Sequence, residues 1–112
     1  MKLIDKNISM SELKIMSKKM FSGLVKAVVD IKKEVMVVDA DMHADEEKYL
    51  IELESKQNDL WGINLYPDQK DEDFIEYDSM INVRPRINNF SRGISDEKIK
   101  QKIIEIVNKL VK

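Results

Sequence analysis

The chain has 112 residues, a formal net charge of -2 and no cysteine. Its 43% hydrophobic and 36% charged residues, with both signs interspersed, are typical of a globular domain and not of a disordered segment. The acidic balance disfavours general nucleic-acid binding, and the lack of cysteine excludes disulfides, thiol catalysis and cysteine-ligated zinc sites. We expect one domain over residues 1–112, cytoplasmic and without a membrane segment, because charges interrupt every apolar run.

The first half of the chain predicts a short edge strand, a helix, a β-hairpin and a second helix. Lys2–Ile4 is the candidate edge strand, and the first helix begins after Ser9, an N-cap residue, and ends near Gly23. Apolar and polar residues alternate over residues 24–42 on both sides of a charged turn, which predicts the hairpin. The second helix covers residues 44–54, with acidic side chains in its first turn.

The second half predicts two more strands and a final helix. Asp59–Tyr66 is a third long strand and Phe74–Val83 a fourth, joined by a polar loop. The last helix begins after Ser95 and carries an apolar stripe that consists of Ile99, Ile103, Ile106, Val107 and Leu110. The order β-α-β-β-α-β-β-α predicts an α+β fold: a mainly antiparallel sheet of four to five strands, formed by two hairpins, with three helices packed on one face.

Arginine is confined to one segment of the chain. The nine-residue stretch R-P-R-I-N-N-F-S-R contains Arg84, Arg86 and Arg92, and every other basic residue is a lysine. The planar guanidinium can bind a carboxylate or a phosphate through two parallel hydrogen bonds, so the cluster indicates a small-anion site. The same arginines can instead pair with the chain's own acidic residues and hold a loop on the sheet. Both interpretations remain open.

Strand periodicity predicts a polar sheet face beside the arginines, because residues two apart in a strand point to the same side. If the apolar residues of each strand face the helices, this face collects Lys26, Asp30, Asp39, Asp41, His43, Asn64, Tyr66, Glu76, Asp78, Asn82, Arg84 and Arg86. An antiparallel sheet commonly exposes one polar face to solvent. The polar face is therefore explained either by a binding site or by ordinary solvent exposure. The candidate ligand-binding residues are Arg84, Arg86, Arg92, Asn64, Tyr66 and Asn82.

The only histidine, His43, is the candidate general acid or base, since its pKa lies near neutrality in the absence of perturbation. Asp41 and Asp78 are the candidate proton-transfer or orienting groups beside it. Asp39, Asp41 and His43 also contain oxygen and nitrogen ligands for a divalent cation, but an acid-rich helix start explains the same residues. We therefore assign no metal and no cofactor.

Several segments of the chain resemble a family of short bacterial and archaeal proteins of unknown function. The segments are V-K-A-V-V-D, H-A-D-E-E, D-L-W-G-I-N-L-Y-P, Y-D-S-M-I-N-V-R-P and S-R-G-I. The resemblance spans nearly the whole chain, and W-G-I-N-L-Y-P is its most specific part. It implies a stand-alone domain and supplies no activity, ligand or partner; residues 86–90 depart from the family's composition.

Three functions are consistent with these patterns. The leading hypothesis is a protein that binds a small carboxylate or phosphate, with the possibility of a small enzyme that uses the polar sheet face. The alternative is a non-enzymatic module that pairs with itself or with another protein through the open sheet face or an edge strand. The third is a small RNA-binding protein that uses the arginines together with Tyr66 and Trp61. The net negative charge of the chain disfavours this function.

Overall fold

A computed structural model describes residues 1–20 and 22–112, and this part of the chain contains three α-helices and a five-stranded sheet. In chain order the elements are β1 Lys2–Ile4, α1 Met10–Ser17, β2 Val25–Asp30, β3 Val35–Val38, α2 His43–Glu52, β4 Leu60–Leu65, β5 Ile75–Glu76 and α3 Glu97–Leu110. The strand order is β1-β3-β2-β4-β5, and every neighbouring pair is antiparallel. The predicted α+β fold and order of elements are confirmed. None of the helices in these residues is long and apolar enough to cross a membrane.

Short polar side chains cap the first turns of α1 and α3 and stabilise the β2–β3 turn. The sequence predicted the cap of α1. The hydroxyl of Ser9 accepts a hydrogen bond from the backbone N–H of Glu12 at 3.1 Å, and Asp96 caps α3 in the same way. In the β2–β3 turn, one carboxylate oxygen of the buried Asp30 accepts the backbone N–H groups of Lys32 and Lys33, each at 2.9 Å. These bonds satisfy backbone donors that the helices and strands leave unpaired.

The sheet carries a separate apolar cluster on each face. The larger cluster joins α1 and α3 to the sheet and consists of Ile4, Ile8, Leu13, Val25, Ala27, Val29, Met36, Val38, Trp61, Ile63, Leu65, Ile94, Ile103, Ile106, Val107 and Leu110. The smaller cluster joins Leu50 of α2 to Val28, Val37 and Leu60. The helices are thus divided between two faces, where the sequence predicted them on one, because Val28 of β2 and Val37 of β3 form an apolar patch on the second face that α2 covers.

The predicted fourth strand, Phe74–Val83, is much shorter in the structure. Only Ile75 and Glu76 pair with β4, and the chain then forms a 3₁₀ turn over Met80–Asn82. Ile81 packs against the smaller cluster, on the face opposite to Ile75, so the expected alternation ends after β5.

Gly62 explains why the chain can leave the sheet at this point. A Cβ atom on Gly62 would lie 2.6 Å from both Cβ and Oγ of Ser79, closer than real Cβ contacts allow. The missing side chain therefore gives residues 79–81 room to cross over β4. The hydroxyl of Ser79 also accepts the backbone N–H of Ile81 at 3.3 Å, which starts the 3₁₀ turn.

The second hairpin strand also ends earlier than predicted. β3 stops at Val38, and Asp39 has a positive φ of 71°, which turns the chain away from the sheet. Asp39 and Asp41 therefore lie in a connection, and His43 is the first residue of α2. The prediction that these three side chains line one side of a strand was wrong, because alternation of polar residues does not distinguish a strand from a polar turn.

Candidate functional site

Arg84 is a nearly buried cation held by a carboxylate and an aromatic ring. Its Nη2 donates a hydrogen bond to Oε2 of Glu47 on α2 at 3.2 Å, and its Cζ lies 5.0 Å from the centre of the Trp61 ring. The side chain is 10% exposed, and Nε and Nη1 have no hydrogen-bond partner in the described part of the protein. Burial lowers the pKa of Arg84 and Glu47 opposes that effect. The result is a fixed guanidinium in which two of the three nitrogens have no hydrogen-bond partner among the described residues.

Arg84 lines a surface cleft of about 610 Å³, which we call the basic cleft. Its charged and apolar walls include Lys56, Asp59, Val83, Arg84, Arg86 and Ile87. Arg86 is exposed, and it forms no salt bridge with any residue that the structure describes. Three basic side chains thus face one acidic side chain, and we expect the cleft to have a positive potential.

Arg92 has a different environment from the other two arginines. Its Nε donates to Oδ1 of Asp78 at 2.6 Å, and both side chains are about half exposed. The backbone oxygen of Arg92 accepts a hydrogen bond from Asn82, but its side chain is not part of the wall of the basic cleft. An exposed pair of this kind contributes little to stability, and it leaves Arg92 accessible to solvent.

Asn89 holds the shape of residues 84–92, which we call the arginine loop. The backbones of Arg84 and Asn89 bond to each other in both directions, at 2.7 and 3.1 Å, and close a tight loop around Pro85–Ile87. The amide of Asn89 donates to three backbone oxygens and accepts from Ser95. Asn89 is buried and fully engaged, so we assign it a structural role in shaping the basic cleft.

His43 lies between α2 and the sheet. It is 7% exposed, and its Nε2 is 2.8 Å from the backbone oxygen of Ile63, so Nε2 is the donor in this bond. Burial is the main cause that lowers the pKa of His43, while the carboxylate of Asp78 acts in the opposite direction. The side chain is therefore a neutral imidazole at neutral pH, with Nδ1 unprotonated.

Among the described residues, Asp41 forms no hydrogen bond with the polar network that follows. It is exposed and lines another depression of about 420 Å³, together with residues at the start of the chain and on α2. No group of three or more His, Asp or Glu side chains in residues 1–20 and 22–112 could hold a metal ion.

Asn64 and Tyr66 share one acceptor. Nδ2 of Asn64 and the hydroxyl of Tyr66 donate to the same carboxylate oxygen of Glu76, at 2.8 and 3.1 Å. Burial raises the pKa of Tyr66, and the negative charge of Glu76 adds to this effect. Asn64 also lies 3.4 Å from the backbone oxygen of Asp78, which connects this network to Arg92. Its Oδ1 has no partner among the described atoms.

Among the predicted ligand-binding residues, Asn82 has the clearest structural role. Its amide bonds to both backbone groups of Gly62 and to the backbone oxygen of Arg92, and the residue is fully buried. These bonds leave the side chain inside the protein, between β4 and the arginine loop.

Glu46 is a polar residue that the strand-based argument missed. It is fully buried on α2, where Oε2 accepts the backbone N–H of Ala40 at 3.2 Å and Oε1 has no partner in the structure as described. Burial raises the pKa of Glu46 to about 10, so the side chain is a neutral acid at pH 7. Helical spacing could have identified it, because His43, Glu46 and Leu50 form one buried stripe.

Residues 2–110 match the model of a family described as "Protein of unknown function (DUF5674)". The chain belongs to this family. Searches of curated proteins and of solved structures found no match. The predicted membership in a family of unknown function is thus confirmed, and the description of DUF5674 names no ligand or reaction.

The structure separates the predicted site residues of this DUF5674 member into two groups. Arg84 and Arg86 lie in the basic cleft, where Lys56 is the basic residue that the sequence argument missed. A second group forms a hydrogen-bonded network near His43. Glu76 joins Asn64 to Tyr66, and the backbone oxygen of Asp78 joins Asn64 to the Asp78–Arg92 pair. Lys56 lies outside the arginine segment, and only the tertiary structure relates the two.

Proposed function

We propose that this protein binds a small anion, a phosphate or a carboxylate, in the basic cleft, and that it does so in the cytoplasm. The observation that carries the proposal is Arg84, whose Nε and Nη1 have no hydrogen-bond partner within the described chain although the side chain is nine-tenths buried. Buried donors without partners are rare because each one costs free energy, so they often indicate a ligand.

The surroundings of Arg84 favour an anion over a neutral ligand. Glu47 offsets the charge of Arg84, but the ammonium of Lys56 and the guanidinium of Arg86 have no such partner among the described residues. Asp59 is the acidic residue that lines the cleft. Two unpaired cations beside a fixed guanidinium give an anion both long-range attraction and directional hydrogen bonds.

Nε and Nη1 of Arg84 are buried, so an anion reaches them only when the surrounding chain moves, and we propose that the Pro85–Ile87 turn makes this movement. This turn is exposed and is followed by Asn88, which has a positive φ of 61°. The stack on Trp61 and the bond to Glu47 hold the guanidinium plane while the turn moves. A preorganised cation loses less entropy on binding than a free surface arginine does.

The test is a titration with inorganic phosphate, and separately with acetate, followed by two-dimensional ¹H–¹⁵N NMR. We expect the backbone amides of residues 56–59, 84 and 86–88 to shift with saturation. Arg86→Gln should weaken binding about fivefold or more, because it removes a charge-assisted hydrogen bond. Saturation by phosphate alone identifies a phosphate site, and saturation by both anions identifies a general oxyanion site.

Arg92→Gln is the matched control, because Arg92 belongs to the same loop but pairs with Asp78. We expect it to leave the affinity within about twofold of the original, since only a distant surface charge is lost. Equal weakening by Arg86→Gln and Arg92→Gln, or no saturable shift with either anion, would sink the proposal.

A self-associating protein is the second candidate, and two exposed apolar side chains favour it. Phe90, in the arginine loop, is 71% exposed, and Met80, which precedes the loop, is 66% exposed. Single exposed apolar residues are common, but a contact between copies would bury them. Sedimentation over a concentration series separates the candidates, since a monomer at the highest concentration rules out self-association. Nothing in the structure adds to the RNA-binding alternative.

A further inference from the structure

A second groove lies between α3 and residues 71–77, and none of its lining residues belongs to the basic cleft. Its volume is about 750 Å³. Binding sites for small molecules commonly have volumes of about 300–1,000 Å³ and walls that are mostly apolar with a few placed polar groups. The groove is therefore large enough for a compact organic ligand.

Aromatic and aliphatic side chains form the walls of this groove. Phe74, Ile75 and Tyr77 line it from the segment around β5, and Ile104 lines it from α3. The first three are only partly buried and pack against the larger apolar cluster with their covered sides. Their remaining surfaces are supported by the core and open to the groove, which suits an apolar ligand body.

The charged residues at the groove favour a cation. Three carboxylate side chains line it, those of Asp71, Glu72 and Glu97, against one basic side chain, that of Lys100. An anionic ligand would meet this excess of negative charge, whereas a cation would be attracted by it. The charge of this groove is thus opposite to that of the basic cleft.

Lys100 shows how a cation is held at this place. Its ammonium lies 5.4 Å from the centre of the Tyr77 ring and 3.7 Å from a carboxylate oxygen of Glu97. The face of an aromatic ring attracts a cation, and a neighbouring carboxylate adds to that attraction. Burial raises the pKa of Tyr77, and Glu97 contributes in the same direction, so the ring stays a neutral phenol. The combination of ring and carboxylate is the chemistry that recognises organic ammonium groups.

We propose that this groove binds a small organic cation with an apolar body, in which the body packs between Phe74 and Ile104 and the ligand's ammonium displaces that of Lys100 from Tyr77 and Glu97. The proposal is independent of the anion site, because it uses other residues and the opposite charge. Its ligand class is an aryl-alkyl or alkyl amine in the protonated form.

The test compares three probes with the same phenylethyl body and different charge: 2-phenylethylamine, 2-phenylethanol and 3-phenylpropionate. Binding is followed by the ¹H–¹⁵N NMR shifts of residues 74–77 and 97–104. We expect the amine to bind about threefold or more tighter than the alcohol, since its charge adds cation–π and carboxylate attraction. The carboxylate should bind most weakly at this groove, whatever it does at the basic cleft.

Two variants on α3 test whether the carboxylate of Glu97 causes the preference for the amine. Glu97→Gln should reduce the affinity for the amine about threefold and leave the alcohol unchanged, because only the amine uses the carboxylate charge. Glu105→Gln is the control, because Glu105 is exposed on the same helix and does not line the groove. Equal affinities for amine and alcohol overturn the proposal, as does equal weakening by the two variants. Concentration-dependent shifts of the groove residues without any probe would instead assign the groove to a second copy of the chain.

Discussion

The side-chain amide of Asn82 bonds to both backbone groups of Gly62. The N–H of Gly62 donates to Oδ1 of Asn82 at 2.8 Å, and Nδ2 of Asn82 donates to the oxygen of Gly62 at 2.9 Å. A residue of a neighbouring antiparallel strand would form the same two bonds. Because β5 ends at Glu76, the amide continues the hydrogen bonding of β4 beyond the last strand residue. The same Nδ2 donates to the oxygen of Arg92, which ties the arginine loop to the sheet.

Asn82→Asp should lower the free energy of unfolding by about 2–4 kcal/mol, because the new carboxylate would face two backbone oxygens that lose their donor. The size of the side chain stays the same, so the loss reports hydrogen bonding and charge rather than packing. Urea denaturation followed by circular dichroism measures it. Asn58→Asp changes an exposed amide in the same way and should cost much less. Similar losses in the two variants would mean that the bonds to Gly62 contribute no special stability.

Glu46→Gln should make the protein less sensitive to alkaline pH. Folding raises the pKa of Glu46 from 4.5 to about 10, so the folded state keeps a proton that the unfolded state releases. The free energy of unfolding therefore decreases as the pH rises from 4.5 to about 10, and glutamine, which has no proton to release, removes this decrease.

We expect the Glu46→Gln protein to match the original near pH 4 and to exceed its stability by about 1–3 kcal/mol at pH 8. Thermal or urea unfolding at several pH values measures the difference. Glu105→Gln alters an exposed acid and should leave the pH profile unchanged. Parallel profiles for the original and Glu46→Gln proteins would contradict a neutral Glu46.

His43 should be neutral at pH 7 and protonated on Nε2. Burial lowers its pKa below 6.5, so the stability that its neutral form provides is complete above pH 6.5 and is lost as the pH falls through the lowered pKa. Long-range ¹H–¹⁵N NMR of the imidazole should show a protonated Nε2, an unprotonated Nδ1 and a titration midpoint below 6.5. The unfolded protein in urea supplies the reference midpoint. A protonated Nδ1 would contradict the bond to Ile63.

The sequence by itself determined the order of elements, because that order depends on local patterns. Ser9 caps α1 as predicted, the alternation around residues 32–34 forms the β2–β3 hairpin, and four of the five residues in the predicted stripe of α3 are buried. These features depend on the period of apolar residues and on capping within a few positions. Strand ends were less accurate, since polar residues alternate in turns as well as in strands.

The tertiary structure decided which polar side chains meet. The arginine segment was recognisable in the sequence, but the partners Glu47 and Trp61 of Arg84 are distant along the chain, and so is Lys56 across the basic cleft. The position of α2 on the second sheet face buries Glu46, which the strand pattern did not include, and His43, which strand periodicity had placed on the polar sheet face. Composition showed which segment contains the arginines. Which arginines share a cleft depends on the packing of α2 and on the place where residues 79–81 cross β4 at Gly62. Those contacts join residues that are far apart in the sequence, so no local pattern predicts them.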